Sequence, residues 1–327
     1  MITYKQAGVD IAAGDEVIRR IKKYAKKIGF FAGFYSLGKT SIVAAADGVG
    51  TKLKIAFHMN KHDTVGIDLV AMNVNDLVTT GAKPIFFLDY IGAHKVHPPT
   101  IEKLIKGVAN GCKQAGCELL GGETAELSDM YFPGEYDLAG FAVGLVDKKN
   151  VIDGRKVRPG DKIIGLASSG LHSNGYTLAR KVLIEQGKLD IKEKSEELGK
   201  KLGEELLIPT KIYVKTILKL IKRFNVKAIA HITGGGIPEN LARVLPMRAQ
   251  AIIDLNSWTV PLIFRLIQRK GKIDQSEMFH AFNMGIGMII IVEAKQADKV
   301  MKFLKKEKEK AYVIGDVGKG KREVIII

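Results

Sequence analysis

Apolar and polar positions follow two rhythms along this chain, and each change of rhythm marks an element. From Gly14 to Lys27 apolar side chains fall at Val17, Ile18, Ile21 and Tyr24, the spacing of one helical face, and Gly29 ends the run. That predicts a surface helix. Ser41 to Ala46 and Ile85 to Ile91 are short apolar runs and read as buried strands. Leu69 to Thr80 reads as a helix closed by Gly81 with Pro84 beyond it, and Ile101 to Ala115 as a second helix closed by Gly116. The strand Glu118 to Leu120 follows, then the strand Leu138 to Val146, where Gly140 and Gly144 let another group approach the backbone closely.

Charged and turn residues then cluster from Asp147 to Asp161, which sets a predicted boundary between two domains, 1–150 and 151–327. The second half opens with the strand Lys162 to Ala167, the polar loop Ser168 to Gly175 and the helix Tyr176 to Gln186. The same strand-loop-helix order recurs from Ala228 to Leu245. Between the two units, Lys188 to Lys201 is rich in lysine and glutamate and reads as helix and connector. Ala251 to Leu255, Gly287 to Val292, Ala311 to Ile314 and Val324 to Ile327 read as strands, and Pro261 to Gln268 as a helix. Strands and helices mix without the strict alternation of a barrel, so the expected class is mixed α/β (α+β), two domains each with a mixed sheet covered by helices.

Composition narrows the setting. A chain of 327 residues, 46% hydrophobic and 26% charged, suits two ordinary globular cores. Its longest apolar runs, such as Met288 to Val292, fall far short of the roughly 20 residues that span a bilayer. Met1 to Lys5 lacks the layout of a signal peptide, so a cytoplasmic protein without a membrane partner is expected. Cys112 and Cys117 stand too close for a disulfide framework in such a chain and read as reduced thiols near one helix end. The net charge of +16 fits nucleic acid, anionic small substrates or a lysine-rich surface. Basic residues are spread through Arg19 to Lys27, Lys192 to Lys201 and Lys302 to Lys310, with glutamates interleaved in the last two and no aromatic pattern for stacking. A solvated face is the better reading, and nucleic acid is not an expected partner.

The densest chemistry follows the strand Ser41 to Ala46. Asp47-Gly48-Val49-Gly50-Thr51-Lys52 puts a carboxylate, glycines and a lysine in one tight turn. Glycine lets backbone N–H groups approach an anion, Lys52 adds a point charge, and Asp47 suits a magnesium ion held against phosphate oxygens. The string reads as a nucleotide polyphosphate site. A rival stands just upstream, because Gly33 to Thr40 satisfies the phosphate-loop spacing GxxxxGK(S/T) letter for letter. Such a loop works by ending at the N-terminus of a full helix. Here Thr40 runs into Ser41 to Ala46, whose β-branched Ile42 and Val43 favour a strand, so Gly33 to Thr40 is expected to be a flexible surface loop near the nucleotide.

If residues 68–80 are helical, Asp68, Ala71, Met72 and Asn75 share a face, with Asp76 on its flank. Asp68 in the first turn is either an N-cap or a ligand. Asp76 near the C-terminal end opposes the helix dipole, which a bound cation would offset. Gly121-Gly122-Glu123 ends a strand, and Glu123 is either a turn residue or, with Asp47, Asp68 and Asp76, a fourth carboxylate around magnesium. In the second half, Thr233-Gly234-Gly235-Gly236 precedes Pro238-Glu239-Asn240 and reads as an anion cradle at a helix start. His231 before it is either a satisfied structural group or a donor to phosphate or substrate nitrogen. His172-Ser173-Asn174-Gly175 holds more polar side chains than one helix cap needs, which points to ribose, amide or phosphate recognition. Asn283 lines the same cleft or forms a turn.

Together with Gly66-Ile67-Asp68, Asn75-Asp76, Gly81-Ala82-Lys83-Pro84, Gly121 to Glu126, Ser168 to Tyr176, His231 to Gly236 and Phe282 to Gly285, these strings closely resemble one family. From Tyr4 to the C-terminus the chain is similar to the phosphoribosylformylglycinamidine cyclo-ligases, also called aminoimidazole ribonucleotide synthetases. Between Ile28 and Ala46 that family usually carries a longer glycine-rich loop. The resemblance implies ATP-dependent closure of formylglycinamidine ribonucleotide to 5-aminoimidazole ribonucleotide, with ADP and phosphate released, through a phosphorylated formyl oxygen. It implies a homodimer paired through the first domain, with residues 1–150 binding ATP and Mg2+ and residues 151–327 binding substrate. On this basis Asp47, Asp68, Asp76 and Glu123 are expected to hold magnesium, and Asp47, Gly48, Gly50, Thr51, Lys52, Asp68, Asn75, Gly122 and Thr124 to bind ATP. His172, Ser173, Asn174, Gly175, Thr233, Gly234, Gly235, Gly236, Asn240 and Asn283 are expected at the ribonucleotide, with Lys52, His172 and His231 catalytic. Asp10 would join from a mobile N-terminal arm. Selenophosphate synthetase, thiamine phosphate kinase and a hydrogenase maturation factor are fold relatives that the resemblance implies, disfavoured by the His172 and Gly234 strings. A nucleotide-binding regulator without turnover is the alternative of a different class.

Overall fold

The computed structural model describes residues 3–21, 23–24 and 31–327. The first helix, α1 (Ile11–Ile21), covers the start of the predicted helix, and residues 22 and 25–27 of that prediction lie outside the described residues. Val17 and Ile21 on it are exposed. Strands β1 (Gly33–Leu37) and β2 (Thr40–Gly48) form an antiparallel hairpin in which Leu37 pairs with Thr40. The phosphate-loop letters therefore fold as a hairpin whose turn is Gly38, at a φ of 56°, and Lys39. Neither a helix-headed cradle nor the expected flexible loop is present at Gly33 to Thr40.

A single 3-10 turn, Gly50–Lys52, leads into α2 (Leu53–Met59) and then α3 (Val65–Thr79). Helix α3 starts four residues ahead of the predicted Leu69, so Asp68 sits inside its first turn and Thr64 takes the cap position. Gly66 lies in this first turn, where a Cβ would meet the Leu104 carbonyl oxygen at 2.4 Å. That closeness lets α3 pack on α4 (Pro98–Ala115), which begins with proline at its first turn and ends at Gly116 in the left-handed region. Strands β3 (Lys83–Ala93), β4 (Glu118–Glu126) and β5 (Tyr136–Asp147) complete a sheet of order β1-β2-β5-β3-β4. All its pairings are antiparallel except β3 with β4. Gly121-Gly122-Glu123 lies within the edge strand β4, not in a turn at a strand's end.

The second half builds a six-stranded mixed sheet. It begins with β6 (Lys162–Ala167) and α5 (Tyr176–Arg180), which continues as a π-helical turn through Gln186. The lysine-rich and glutamate-rich segment contains a small hairpin, β7 (Lys194–Ser195) and β8 (Lys200–Lys201), where a helix was expected. Gly199 at a φ of 69° closes its turn, with its N–H bonded to the Ser195 carbonyl. Then come α6 (Leu202–Leu206), α7 (Val214–Ile221), β9 (Val226–His231), α8 (Gly236–Arg243), β10 (Ala249–Ile253), α9 (Leu262–Gly271) and α10 (Gln275–Ala281). The chain closes with β11 (Ile286–Val292), α11 (Ala294–Lys306), β12 (Ala311–Lys319) and β13 (Glu323–Ile326). Strand β11 is buried at every position and sits between β6 and β9, as its unbroken apolar run requires. The mixed α/β class with sheets covered by helices stands as expected.

Helix α3 binds the two halves together. It covers β2 and β5 of the first sheet and also meets β9 and α7 of the second. The N-terminal arm packs on the second half as well, with Lys181 donating to the Gln6 carbonyl at 2.8 Å and the Tyr4 N–H donating to Glu277.

Candidate active site at the domain junction

A cleft of about 490 Å³ opens where β2 and β5 of the first sheet meet the loops after β6 and β9 of the second. Asp47, Gly48 and Gly50 line one wall, Asp137 and Met72 another, and Ser173, Asn174 and Thr233 close it. The junction thus gathers the Asp47 turn, the His172 loop and the glycine loop. Glycine is needed at two of these points. Gly50 has a φ of 71°, and a Cβ on Gly48 would come within 2.9 Å of the Leu138 carbonyl oxygen.

Behind the cleft lies a closed ionic cluster. Lys52 is fully buried, and its ammonium donates to Asp68 Oδ1 at 2.9 Å, to the His172 carbonyl at 2.9 Å and to the Ile208 carbonyl at 2.7 Å. Burial lowers its pKa, opposed by the Asp68 charge. An ammonium has three N–H donors, and all three are spent. Lys52 is therefore a tie between the halves and not, as expected, a charge open to phosphate. The same Asp68 oxygen accepts from the Thr210 N–H at 2.7 Å, the Thr210 hydroxyl at 2.6 Å and the Ser173 hydroxyl at 3.2 Å. Neither the helix cap nor the magnesium ligand read from the sequence describes it.

Asn75 is a second brace. Its amide donates to the Lys211 carbonyl at 2.8 Å and accepts from the Tyr213 N–H at 3.0 Å, so it fastens α3 to the segment before α7 and is not free for a nucleotide. Next to it Asp76 is only partly covered and holds His231 Nδ1 at 2.7 Å. A proton on Nδ1 leaves Nε2 as an acceptor, consistent with Asn75 Nδ2 at 3.5 Å. This pair is a carboxylate-oriented imidazole with its basic nitrogen defined.

Asp47 is exposed on the cleft wall. Desolvation by the protein close around it, followed by the negative charge of Asp76, pushes its carboxyl up to about 6, offset by the Gly48 N–H and by His231. Asp47 and Asp76 therefore feel one another. Glu123 does not join them within the chain. The register runs Asp47 to Gly140, Gly140 to Asp89 and Asp89 to Gly122 across the sheet. Three strand spacings put Gly122, Glu123 and Thr124 about 14 Å from Asp47. Among the described residues no three His, Cys, Asp or Glu side chains gather as a metal cluster, so the expected four-carboxylate set is corrected to two that interact, Asp47 and Asp76.

The second half shows the same division between braces and open groups. Asn240 is fully buried and donates to the carbonyls of Gly236 at 2.8 Å and Gly234 at 3.1 Å, which props the glycine loop from behind. Asn283 donates to the Gly170 carbonyl at 2.9 Å and accepts from Ser168 and from the Gly285 N–H. Both were expected at the ribonucleotide, and both are spent on the loops. Gly235 and Gly236 have positive φ, and a Cβ on Gly236 would meet the Phe279 carbonyl oxygen at 1.7 Å. Gly234 differs. Its nearest neighbour is Asn174 Oδ1 at 3.7 Å, so no packing reason forbids a side chain there. Gly175, at a φ of 77°, is fixed by Phe282.

His172 is fully buried at a φ of 63°. Its Nε2 accepts from the Ser169 N–H at 3.1 Å, which places the proton on Nδ1. Burial first, then the charges of His231, Lys52 and Lys211, holds its pKa well below the usual value. Buried side-chain atoms without a hydrogen-bond partner are uncommon. Among the described residues they are Asp68 Oδ2, Asn73 Oδ1, His172 Nδ1, Asn174 Nδ2 and Thr64 Oγ1, and the first four belong to this junction. Asn73, Asp137 and Thr210 are site residues that the sequence reading missed. Asp137, an acid opening a glycine-bearing strand, carried a signal; Thr210 carried none. Thr51 faces Thr177 across the junction at 2.9 Å, and Asp10 pairs with Lys5 and caps α1 through the Ala13 N–H.

Two family models match the chain: AIR synthase related protein, N-terminal domain, over residues 29–146, and AIR synthase related protein, C-terminal domain, over residues 158–327. A phosphoribosylformylglycinamidine cyclo-ligase of Pseudothermotoga lettingae is 52% identical, covering 99% of this chain and 99% of that protein. One of Thermodesulfovibrio yellowstonii is 53% identical, covering 100% of this chain and 99% of that protein. Among solved structures, a thiamine monophosphate kinase from Aquifex aeolicus is 17% identical with a TM-score of 0.66, covering 95% of this chain and 96% of that one. That last likeness is one of fold.

Proposed function

The chain belongs to the phosphoribosylformylglycinamidine cyclo-ligase family, and we propose that the cleft between its halves is where the family's reaction takes place in this protein. It is an ATP-dependent ligase of purine biosynthesis that closes formylglycinamidine ribonucleotide to 5-aminoimidazole ribonucleotide. The observation that carries the assignment to the cleft is the meeting there of the Asp47 turn with Ser173, Asn174 and Thr233, where Asn174 Nδ2 is buried without a hydrogen-bond partner. A bound ligand would supply that partner.

Ring closure needs a better leaving group than the formyl oxygen. Transfer of the γ-phosphoryl group of ATP to that oxygen supplies one and yields ADP. The amidine nitrogen then attacks the same carbon, the ring closes, and the C–O bond breaks to release phosphate. The attacking nitrogen must lose a proton. The Asp76–His231 pair takes it: Asp76 is the partly exposed member, and His231, fully buried behind it, holds the carboxylate through Nδ1. Gly48, Gly50 and Gly234 offer backbone at the triphosphate and ribonucleotide phosphate, and Ser173, Asn174 and Thr233 hold the ribonucleotide. Positioning and charge stabilisation account for most of the rate in such phosphoryl transfers.

Magnesium fits Asp47 and Asp76. The charge of Asp76 raises the proton affinity of Asp47, a divalent cation would relieve that repulsion, and ATP oxygens and water would complete the shell of a hard ion. Bound there, the ion would neutralise phosphate charge. Residues 1–150 would then bear ATP and magnesium, and residues 151–327 the ribonucleotide.

A homodimer belongs to the same proposal. One face of the first sheet leaves Ile85, Tyr90, Phe141 and Leu145 exposed, and its edge strand β4 exposes Leu120. Apolar sheet faces of this kind favour a partner. No described helix is long and apolar enough to cross a membrane, and we place the enzyme in the cytoplasm. Steady-state ADP release with formylglycinamidine ribonucleotide present, for the wild type and Asp76→Ala, tests the site. Equal turnover in the two would remove the cleft from the reaction.

A further inference from the structure

Strands that reach the cleft at one end reach a second cavity at the other. Thr40 at the start of β2, Leu145 to Asp147 at the end of β5 and Val226 at the start of β9 line a space of about 750 Å³. At ~3.4 Å per residue, the run from Ala139 to Leu145 along β5 separates the two sites by about 20 Å. The linker between the halves forms one wall. Its hold is firm on both sides. The Ile152 N–H bonds to the Thr80 carbonyl and the Lys148 N–H to the Lys39 carbonyl, both at 3.0 Å. Gly81 at a φ of 83° lets Asn150 and Ile152 lie on it, and Gly154 at a φ of 79° lies against the Val244 carbonyl. The walls are therefore in place without a ligand.

Charge around this space is predominantly positive. Lys83 of β3, Lys149 and Lys156 of the linker and Lys222 after α7 line it, and none of these ammoniums has an ion pair or hydrogen bond. Of the two carboxylates that line it, Asp153 is paired with Arg155 at 2.9 Å, and Asp147, which meets only the Asn150 amide at 3.5 Å, keeps its charge. Lys227 beside them is buried and paired with Asp161 at 2.7 Å. Other lysines of the surface are unpaired too; what sets these four apart is that they line one cavity from both halves of the chain. Four like charges around one cavity repel one another unless an anion binds.

The floor is apolar, formed by Val146, Ile152, Ile221 and Phe224. Cavities of roughly 300–1,000 Å³ with an apolar floor and a few charged groups suit organic ligands better than a bare ion. We propose that this cavity is a second anion site, separate from the cleft, that takes a phosphate ester of nucleotide size. Its phosphate lies among the lysines, which bind phosphate as point charges, and its organic part covers the floor. Lys83 comes from the first half and Lys222 from the second, so the bound ester ties the two halves together.

Calorimetric titration of the full-length protein with AMP tests the site, in the wild type, in Lys149→Glu/Lys222→Glu and in the cleft variant Asn174→Ala. The wild type is expected to show an AMP-binding component that weakens with added salt. That component should survive in Asn174→Ala and weaken by about tenfold or more in the double variant. ADP-forming turnover of the double variant without AMP should stay within about twofold of wild type, as neither lysine is near the cleft. Inorganic phosphate should bind about tenfold or more weakly than AMP, because it leaves the floor uncovered. If charge reversal impairs folding, Lys149→Gln/Lys222→Gln gives the same comparison with charge removed. AMP isotherms that coincide in the wild type and these variants overturn the proposal. So does inorganic phosphate binding as tightly as AMP.

Discussion

Asp68 and Asp76 lie on the same helix, and the sequence alone gives both the same role, yet the fold treats them as opposites. Asp68 is fully buried, with four donors on one oxygen drawn from Lys52, Thr210 and Ser173. Asp76 is partly open, and its carboxylate holds only Nδ1 of the buried His231. Asp68 Oδ1, saturated by fixed donors, cannot exchange them for a ligand without leaving charges unpaired in a dry interior, and Oδ2 is buried with no donor at all. A carboxylate held by a single imidazole can pass charge to it. Saturation marks the tie between the halves, and partial satisfaction marks the chemistry.

Breaking the tie should have the largest effect. Lys52→Ala leaves Asp68 charged and uncompensated, and unfolding in urea should show a loss of about 3–5 kcal/mol. Lys52→Met with Asp68→Leu removes both charges and should recover most of that loss. A loss below about 1 kcal/mol for Lys52→Ala would mean that the pair is not structural. Asp76→Asn should do the reverse. Turnover measured by ADP release should fall by a factor of about 10²–10⁴, with stability changed by less than about 1 kcal/mol. His231→Gln should match it, and the double variant should lose little more, because the two side chains act as one unit. Additive losses would separate them.

Much of the fold was legible because the signals were local. The apolar run after Thr40 outweighed a perfect phosphate-loop pattern, and the chain does form a strand there. Pro98 and Gly116 bound α4 as their backbone preferences require. Lys188 to Lys201 misled because lysine and glutamate favour helices, while Gly199 and a buried Ile191 impose a hairpin. In the site, the glycine and histidine strings pointed to the right loops but not to which members face the opening. That choice depends on partners distant in sequence: Thr210 for Asp68, Lys211 and Tyr213 for Asn75, Gly170 for Asn283. No periodicity records such pairs. Glu123 was misjudged for a related reason, since its place on an edge strand is set by sheet order.

The glycine loop allows a finer version of the same contrast. Gly236→Ala drives a Cβ against the Phe279 carbonyl at a positive φ and should destabilise by about 2–3 kcal/mol. Gly234→Ala meets only Asn174 Oδ1 at 3.7 Å, so stability should stay within about 0.5 kcal/mol. Its cost should fall on KM for the ribonucleotide. If KM is unchanged, the backbone of Gly234 is not approached by substrate, and the loop is an architectural turn.

The smallest effect concerns His172, which belongs to the closed side because its carbonyl accepts from Lys52. Burial and nearby positive charge hold the folded pKa well below the usual value of about 6.5. In the unfolded chain the ring titrates normally. Below about pH 6.5 the unfolded state therefore binds a proton that the folded state refuses. Its contribution is fully present above that pH and is lost as pH falls towards the folded pKa. His172→Asn keeps a residue that tolerates the left-handed φ and removes the titration. Between pH 7.5 and 5.5 the urea midpoint of the wild type should fall further than that of the variant, since every other titrating group is common to both. Parallel falls would mean that the imidazole takes up its proton in the folded protein, and His172 would then move to the open side with Asp76.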